Sequence, residues 1–449
     1  MGLFRQTALV LVVAVAAGCH EVAEAPPELD VRLSATTAWS GGTVQVVSPN
    51  FAHLKSSPTV YVGSTPVPVT SVNDSTIEIA LPRATGSFDV WVSVGGARQD
   101  IGVLGLAGFR ATYPGPVFSG TPYWLVPGGP PLLIGEGDHG AAIMDVGHNT
   151  ALQITPDSVH SPDCAITVGP SYAASTWVFT GSNAGGGCRY PRAWTLGASY
   201  SLTPADSVGT QPNSEAWWVM AQPGPQRWVF DWNNNMYLID CSIPVCSFKW
   251  RGDGNNVSRI HLSPKSDRFL MLPSFPPRRT VVYDATRMDT AYTLPWTEGS
   301  GAFSFDGDTL FLLGYDSTGV AHVQACAAST GQIGHDLVLS FPGLSIVGDL
   351  DVAVDPLGSW LYIALTASDQ ISYSGTSEET VVPVLVVVDR NTWRVVGVAP
   401  GGPMVLPVNG GYQGTLVPSP SEKTIYIVET TLGYNSHGVK AVVSRFDTP

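Results

Sequence analysis

A short pattern that recurs seven times constrains the fold of this 449-residue chain more than any other feature. A proline is followed by four variable residues and three strand-forming residues, as in Pro356 before residues 361–363 and Pro420 before residues 425–427. The copies are anchored at residues 127, 170, 223, 264, 305, 356 and 420; the second has two extra residues, and Phe305 replaces the proline in the fifth. Repeats of about 40 to 50 residues with this turn chemistry are typical of four-stranded propeller blades.

Each copy also predicts the position of its strands within the blade. Proline lacks a ladder donor, so we place it in the turn between the first and second strands. The apolar triplet is then the second strand, buried against both neighbouring blades. An apolar pair closed by aspartate recurs further on and predicts the third strand, where the carboxylate accepts backbone N–H bonds from the next turn. These aspartates are Asp145, Asp240, Asp284, Asp389 and Asp447.

Threonine follows shortly after several of these strands, at Thr150, Thr286, Thr330, Thr392 and Thr448. This pattern resembles the YVTN/quinoprotein-like propeller superfamily, and the Trp-Asp dipeptide of WD40 blades is absent. The last copy offers no fourth strand before Pro449. An unpaired sheet edge is a liability. We therefore expect residues 107–113 to complete the seventh blade, within a propeller that covers residues 106–449.

Residues 29–105 show short alternating segments separated by turns, which predicts an antiparallel β-sandwich. The segment resembles the IPT/TIG family of immunoglobulin-like domains in the order of its motifs, which are residues 40–44, 49–51, 60–63, 74–77, 81–82 and 86–90. The resemblance implies a spacer or binding domain without catalysis. The predicted fold class is thus all-β, an immunoglobulin-like sandwich followed by a seven-bladed propeller.

The N-terminus carries an export signal. Arg5 precedes an apolar run over residues 8–17, which is too short to span a bilayer and ends in Ala-Gly-Cys. This resembles the lipobox of bacterial lipoproteins, which implies cleavage after residue 18 and lipidation of Cys19; an ordinary secretory signal is the alternative. Residues 19–28 are expected to form a tether. His20 after the cysteine favours the outer membrane, so we predict a lipid-anchored protein of the bacterial cell envelope.

Five further cysteines would lie in an oxidising compartment, where disulfides form. The local options are Cys164 with Cys188 and Cys241 with Cys246, which leaves Cys326 as the candidate free thiol. The alternative is that all five cysteines are buried thiols. None of the cysteines has the spacing of a redox or zinc site.

The net charge of −14 opposes binding to nucleic acid and to anionic lipid headgroups. Membrane contact is therefore expected through the lipid anchor alone. The 13% of charged residues, against about 25% in typical domains, suits a turn-rich extracytoplasmic β-protein.

Several polar and aromatic groups are candidate sites. Glu136, Asp138 and His139 form the densest polar cluster, with a solvated hairpin turn as the alternative. Residues 253–256 and 306–308 resemble fragments of calcium loops but lack the full pattern, so no cofactor is predicted and Ca²⁺ stays an option. No two histidines share a metal-binding spacing, and His139, His261 and His437 are the first candidates for zinc or iron ligands that converge from different blades of the propeller. A sugar-binding aromatic surface could use Trp217, Trp218 and Trp232, which packing between blades would equally explain.

The sequence favours a non-catalytic envelope lipoprotein whose propeller binds a protein or glycan partner. The alternatives are a propeller lyase or hydrolase acting on a polysaccharide or cell-wall substrate and, third, a quinone-dependent dehydrogenase. These alternatives rest on analogy of fold, which does not determine function.

Overall fold

The computed structural model describes residues 30–449, except for the following segments: 52–56, 116–121, 127–128, 138–139, 155–164, 174–175, 183–191, 197–201, 208–217, 233–234, 243–246, 251–256, 274–279, 295–298, 317, 319, 341–344, 369–377, 408–410 and 433–440. The lipidation site and the tether lie outside the described residues. The described chain is almost entirely β-strand. It contains no helix that is long and apolar enough to cross a membrane.

The N-terminal part is a sandwich of two sheets. The first sheet contains, in spatial order, β1 (Arg32–Leu33), β3 (Thr43–Val47), β7 (Thr76–Ala80) and β6 (Val69–Val72). The second contains β2 (Thr37–Trp39), β9 (Ala97–Ala107), β8 (Gly86–Val94), β4 (Thr59–Val62) and β5 (Thr65–Val67). The alternating apolar residues of both sheets, such as Val46, Ile77 and Val90, are fully buried and form one core. Period-two alternation places these side chains on the inner faces.

The rest of the chain forms seven antiparallel sheets, which we call blades 1 to 7. Blade 1 contains β11 (Tyr123–Trp124), β12 (Leu132–Gly137), β13 (Gly140–Asp145) and β14 (Thr150–Ile154). Blade 2 contains β15 (Ala165–Pro170), β16 (Thr176–Ser182), β17 (Arg192–Leu196) and β18 (Leu202–Ser207). Blade 3 contains β19 (Trp218–Gly224), β20 (Arg227–Trp232), β21 (Asn235–Asp240) and β22 (Ser247–Trp250). Blade 4 contains β23 (Val257–Leu262), β24 (Arg268–Pro273), β25 (Val281–Asp284) and β26 (Asp289–Thr293).

The remaining three blades follow the same plan. Blade 5 contains β27 (Gly299–Phe303), β28 (Thr309–Tyr315), β29 (Ala321–Ala327) and β30 (Ile333–Leu339). Blade 6 contains β31 (Ser345–Val354), β32 (Trp360–Ser368), β33 (Glu378–Asp389) and β34 (Arg394–Pro400), with β35 (Met404–Pro407) also paired to β33. Blade 7 contains β36 (Gly411–Ser419), β37 (Thr424–Leu432) and β38 (Ala441–Asp447), and its outer strand is β10 (Phe109–Gly115). A single 3-10 turn, Pro420–Glu422, joins β36 to β37.

The blades are arranged in a closed ring. The first strands of blades 2 to 7 each contact the next, in the order β15, β19, β23, β27, β31 and β36. Blade 1 completes the ring, because its β11 contacts β36 of blade 7 and its β12 contacts β15 of blade 2. Each of the seven interfaces between neighbouring blades holds its own apolar cluster. A single blade cannot bury both faces, so the apolar second strands are covered only when blades stack around the axis. The predicted fold class, a sandwich followed by a seven-bladed propeller, is confirmed.

The ring closes with a strand from the start of the propeller region, as the sequence predicts. β10 pairs antiparallel with β38, from Phe109 opposite Phe446 to Gly115 opposite Ala441. The strand that completes the last blade therefore comes from the other end of the region. Pairing of this kind removes an exposed edge and joins the first and last blades.

The aspartates that end the third strands hold the turns that follow. Asp284 Oδ1 accepts the backbone N–H groups of Thr286 at 2.9 Å and Arg287 at 2.8 Å. Asp389 Oδ1 does the same for Asn391 at 2.7 Å and Thr392 at 3.1 Å. In blade 1, Asp145 Oδ1 accepts the N–H of His148 at 3.0 Å. These bonds are the predicted role of the recurring aspartate.

The sandwich packs directly against blade 6. Only Gly108 separates β9 of the sandwich from β10 of the propeller. The carbonyl oxygen of Ser40 accepts the backbone N–H of Val398 at 3.0 Å, and Trp39 is 4% exposed within the apolar cluster between blades 6 and 7. The turn that follows β2 therefore covers part of the outer edge of blade 6.

Candidate binding cavity in the central channel

A cavity of about 410 Å³ opens among the first strands of the blades, on the face where these strands turn into the second strands. Its wall includes Tyr123 and Trp177 from blades 1 and 2, and Phe303 and Val352 from blades 5 and 6. The turns themselves add Val126, Ala173, Pro264 and Phe305. The lining is mainly aromatic and aliphatic because the alternating residues of the first strands that face the axis are apolar. A volume of this order accommodates a drug-sized group or a large side chain.

A buried ion pair crosses the channel at this cavity. Arg259 Nη1 of blade 4 donates to Asp351 Oδ1 of blade 6 at 2.8 Å, and each side chain is 6% exposed. Both residues line the cavity. The guanidinium carbon of Arg259 also lies 5.9 Å from the centre of the Tyr123 ring. The pair supplies the two ionised groups of a wall that is otherwise made of apolar, aromatic and uncharged polar residues.

The remaining contacts of the pair come from three more blades. Arg259 Nη2 donates to the carbonyl oxygens of Pro122 at 3.2 Å and Gly414 at 3.0 Å, and to Thr415 Oγ1 at 2.5 Å. The Asp351 carboxylate accepts the hydroxyl of Ser300 at 2.7 Å and the backbone N–H of Leu416 at 2.8 Å. Blades 1, 4, 5, 6 and 7 thus meet at one hydrogen-bonded cluster, which we call the axial cluster. Both carboxylate oxygens of Asp351 accept hydrogen bonds inside it, whereas the buried Nε of Arg259 has no hydrogen-bond partner.

His261 lies two residues beyond Arg259 on the same strand and also lines the cavity. Burial lowers the pKa of its ring to about 3, and the charge of Arg259 adds to the effect. Part of the residue is open to solvent, but the ring edge that carries Nε2 is sealed and has no hydrogen-bond partner. His261 is therefore neutral at physiological pH. It is the one histidine of the three channel candidates that the structure describes.

The other predicted sites have mixed outcomes. Glu136 is the second-to-last residue of β12 and pairs with Ala141 of β13. Asp138, His139 and His437 lie outside the described residues, as does Trp217. Trp218 and Trp232 lie on paired strands of blade 3, and nothing is described of their side chains. The aromatic surface therefore stays a prediction.

The possible calcium loop at residues 306–308 is a turn. Asp306 Oδ1 accepts the hydroxyl of Ser304 at 2.5 Å and the N–H of Asp308 at 3.0 Å. Asp308 pairs with Lys265. The other fragment, residues 253–256, lies outside the described residues. Within the described ranges no three His, Cys, Asp or Glu side chains are placed to hold a metal ion.

Two cysteines fall within the described residues. Cys326 is a buried free thiol, as the sequence analysis expected. Burial raises its pKa to about 11, so it is protonated. Cys241 is disulfide-bonded, and its partner lies outside the described residues. The pairings of Cys241 with Cys246 and of Cys164 with Cys188 stay predictions.

Sequence reasoning missed Arg259 and Asp351. A partial signal was available, because a charged residue stands within a first strand at Arg259 in β23 and at Asp351 in β31. The partners could not be paired from sequence, since they come from blades 4 and 6 and lie 92 residues apart in the chain.

Comparison with known proteins gives a family match for the sandwich, and matches to solved structures at low sequence identity. No curated protein matches the chain. Solved structures that match include Kuenenia stuttgartiensis hydrazine synthase, with 15% identity and a TM-score of 0.38 over 59% of this chain and 76% of that one. The β-propeller domain of Myceliophteria thermophila Cps50 (Swd1) matches with 12% identity and a TM-score of 0.41 over 74% of this chain and 99% of that one.

A chain of a mitotic checkpoint complex also matches, with 10% identity and a TM-score of 0.39 over 76% of this chain and 94% of the other. The model of the IPT/TIG domain family matches residues 32–109. The N-terminal sandwich of this chain is therefore an IPT/TIG domain, as its motifs predict.

Proposed function

We propose that this chain is a non-catalytic binding protein of the bacterial cell envelope, anchored through Cys19, whose propeller takes an uncharged apolar group of a protein partner into the channel cavity. The observation that carries the proposal is the chemical character of the cavity. Its walls are aromatic and aliphatic, and its ionic groups are already paired with each other.

The cavity offers no free charge to a ligand. Arg259 and Asp351 neutralise each other, and His261 is uncharged. A charged ligand group would lose its hydration without gaining a counter-ion, which is costly in an apolar site. An uncharged aromatic or aliphatic group would gain roughly 25 cal/mol for each Å² of apolar surface that it buries. The cavity therefore favours an uncharged, apolar ligand group.

The surface around the cavity favours a protein over a glycan. Val126 and Phe305 line the cavity and are each 41% exposed, and Leu357, on a turn of the same face, is 79% exposed. Protein interfaces concentrate their binding energy in apolar anchors that fill such pockets. A glycan needs several polar partners for its hydroxyls, and the described lining contains no Asn, Gln or Glu side chain.

The cavity gives less support to the enzyme alternatives, a lyase or a hydrolase. Hydrolysis or elimination needs an acid–base pair that faces the substrate. The carboxylate among the described lining residues is Asp351, and both of its oxygens accept hydrogen bonds inside the axial cluster. Binding is the function that this geometry supports best.

Occupancy of the cavity can be tested with the uncharged aromatic probe N-phenyl-1-naphthylamine, whose fluorescence rises in apolar sites. We expect saturable binding to the wild-type protein and at least tenfold weaker binding to Ala173→Trp, whose indole would fill the cavity. Ala97→Trp, at an exposed position of the sandwich, is the control and should bind like wild type. Equal binding by a folded Ala173→Trp variant would contradict the proposal.

Competition with defined ligands then identifies the class of partner. Blocked pentapeptides with a central Trp or Leu should displace the probe, whereas peptides with a central Lys or Glu should not. Displacement by a neutral oligosaccharide, but not by the apolar peptides, would assign the site to a glycan instead.

A further inference from the structure

A second buried acidic group lies outside the axial cluster, in the interface between blades 6 and 7. Glu429 on β37 is 3% exposed, and neither of its carboxyl oxygens has a hydrogen-bond partner. Thr366 on β32 is fully buried, and its hydroxyl also lacks a partner. Buried polar groups of this kind are rare in folded proteins and require a physical explanation.

Strand alternation places both side chains in the same interface. Ile425 and Ile427 belong to the apolar cluster between blades 6 and 7, so Glu429, two residues further along β37, faces blade 6. Tyr362 and Ala364 belong to the same cluster, so Thr366 faces blade 7 in the corresponding position. The carboxyl group therefore lies at the end of an apolar interface, next to the neighbouring blade.

Among the residues that the structure describes, no positive charge compensates Glu429. Of the described strands packed around it, β31 contributes Asp351, which is paired with Arg259, and β32 contributes Tyr362. Residues 381–388 of β33 and the whole of β36 contain no charged residue, and Arg445 on β38 lies on the opposite side of the sheet from Phe446, which belongs to the cluster. Burial without a counter-charge raises the pKa of Glu429 to about 8.

We propose that Glu429 is a proton-dependent latch, which lets blades 6 and 7 pack closely while its carboxyl group is protonated and loosens their interface when the proton is lost. The latch adjoins the axial cluster, because Glu429 pairs on the sheet with Gly414, whose carbonyl oxygen accepts a hydrogen bond from Arg259. Loosening of this interface would therefore reach the channel.

The sign of the pH dependence follows from the two protonation equilibria. The ordinary pKa of the group is 4.5, and it is raised in the folded protein. Below the ordinary value both states hold the proton, and the interface is fully stable. As the pH rises toward 8, the opened state releases the proton while the closed state keeps it, so opening becomes about tenfold more favourable per pH unit.

Hydrogen exchange measured by mass spectrometry tests the latch directly. We expect the protection factors of peptides from β32 and β37 to fall about 100-fold between pH 6 and pH 8 in the wild-type protein, after correction for intrinsic exchange. Glu429→Leu should abolish this dependence, because the corresponding second-strand position of blade 6, Leu365, is a fully buried leucine. Glu429→Gln provides a second, isosteric variant that cannot ionise.

The control is Glu78→Gln, which removes a partly exposed carboxylate from the sandwich, far from blades 6 and 7, and should keep the wild-type pH dependence. Protection that does not change with pH in the wild type, or that changes equally in Glu429→Leu, would overturn the proposal. Recovery of protection at pH 8 on addition of Ca²⁺ or Na⁺, in the wild type but not in Glu429→Gln, would also overturn it, since the carboxylate would then hold a cation. If neither variant folds, the wild-type pH series alone decides.

Discussion

At the scale of single residues, the centre of the propeller depends on one ion pair. Desolvating two charges is expensive, and the attraction between them offsets the cost only when all remaining polar atoms are also satisfied. Arg259 and Asp351 meet much of this requirement through backbone and hydroxyl groups of three further blades. The pair thus determines which blades meet at the axis as well as the charge of the cavity.

Asp351→Asn should destabilise the protein by about 3–5 kcal/mol, because it leaves the charge of Arg259 buried without a counter-ion. Thermal and urea unfolding at pH 7 measure the loss. The double variant Arg259→Met with Asp351→Leu removes both charges together and should recover most of the stability. A double variant less stable than Asp351→Asn would show that the hydrogen bonds of the cluster matter more than its charge balance.

At the scale of elements, the blades share one type of turn, but the residues of the second strand that face each neighbouring blade are not the same in every blade. In blades 2 to 7 the first residue of the apolar triplet packs against the preceding blade and the second against the next. Blade 1 is shifted by one residue, since Leu133 faces blade 7 while Leu132 and Ile134 face blade 2. The spacing from the proline therefore predicts the strand but not which side chains face which neighbour.

Asp284→Ala tests the recurring aspartate of the third strand. The change removes two backbone hydrogen bonds and the contact of Asp284 with Arg287 Nε at 3.0 Å, so we expect a loss of about 1–3 kcal/mol in urea unfolding at pH 7. Asp74→Ala, at an exposed position of the sandwich, is the control. A loss no larger than that of the control would show that the turn forms without the carboxylate.

The same aspartate gives a pH dependence of known sign. Burial favours the protonated carboxyl group, but the N–H groups of Arg287 and Thr286 and the Arg287 guanidinium outweigh it and hold the pKa of Asp284 below its ordinary value of 3.8. The stabilisation is therefore complete at neutral pH and is lost as the pH falls below about 4. The difference in stability between wild type and Asp284→Ala should shrink over that range.

At the scale of the whole molecule, the sandwich and the propeller are held by a close backbone contact. The Trp39 ring packs edge-on against Trp360, with ring centres 5.7 Å apart at 76°. A Cβ atom at Gly42 would lie 2.0 Å from the carbonyl oxygen of Val396. Glycine is required there because two backbones approach each other directly.

Gly42→Ala should therefore separate the domains without unfolding either one. We expect a larger radius of gyration in small-angle scattering and two thermal transitions in place of one. Gly334→Ala is the matched control, because the nearest atom to its added Cβ would be 3.7 Å away. An unchanged scattering profile for Gly42→Ala would show that the contact does not fix the orientation of the domains.

The first strand also bears on the proposed membrane anchor. β1 pairs with Val46 and Val47, at the end of β3 opposite the propeller contact at Gly42. At about 3.3 Å per residue, the preceding segment leaves the sandwich roughly 16 Å from that contact.

The sequence by itself determined what depends on local patterns. Period-two alternation and turn residues predicted the sandwich, and the proline-anchored repeat predicted seven blades, their second strands and the aspartates of their third strands. The closing strand followed from the need to pair a free edge. The other strands and turns are formed by residues that are close in the chain. The closing strand comes from the other end of the propeller region, but the unpaired edge of the last sheet indicates that one is needed.

Only the tertiary structure decided which residues meet across the ring. Arg259 with Asp351 and Gly42 against Val396 come from separate repeats or domains, and alternation alone specifies a face without specifying the neighbour. Their contacts depend on how stacking rotates each blade around the axis and where the sandwich packs against blade 6. The cavity, its neutral charge and the proton-dependent interface are therefore products of ring closure.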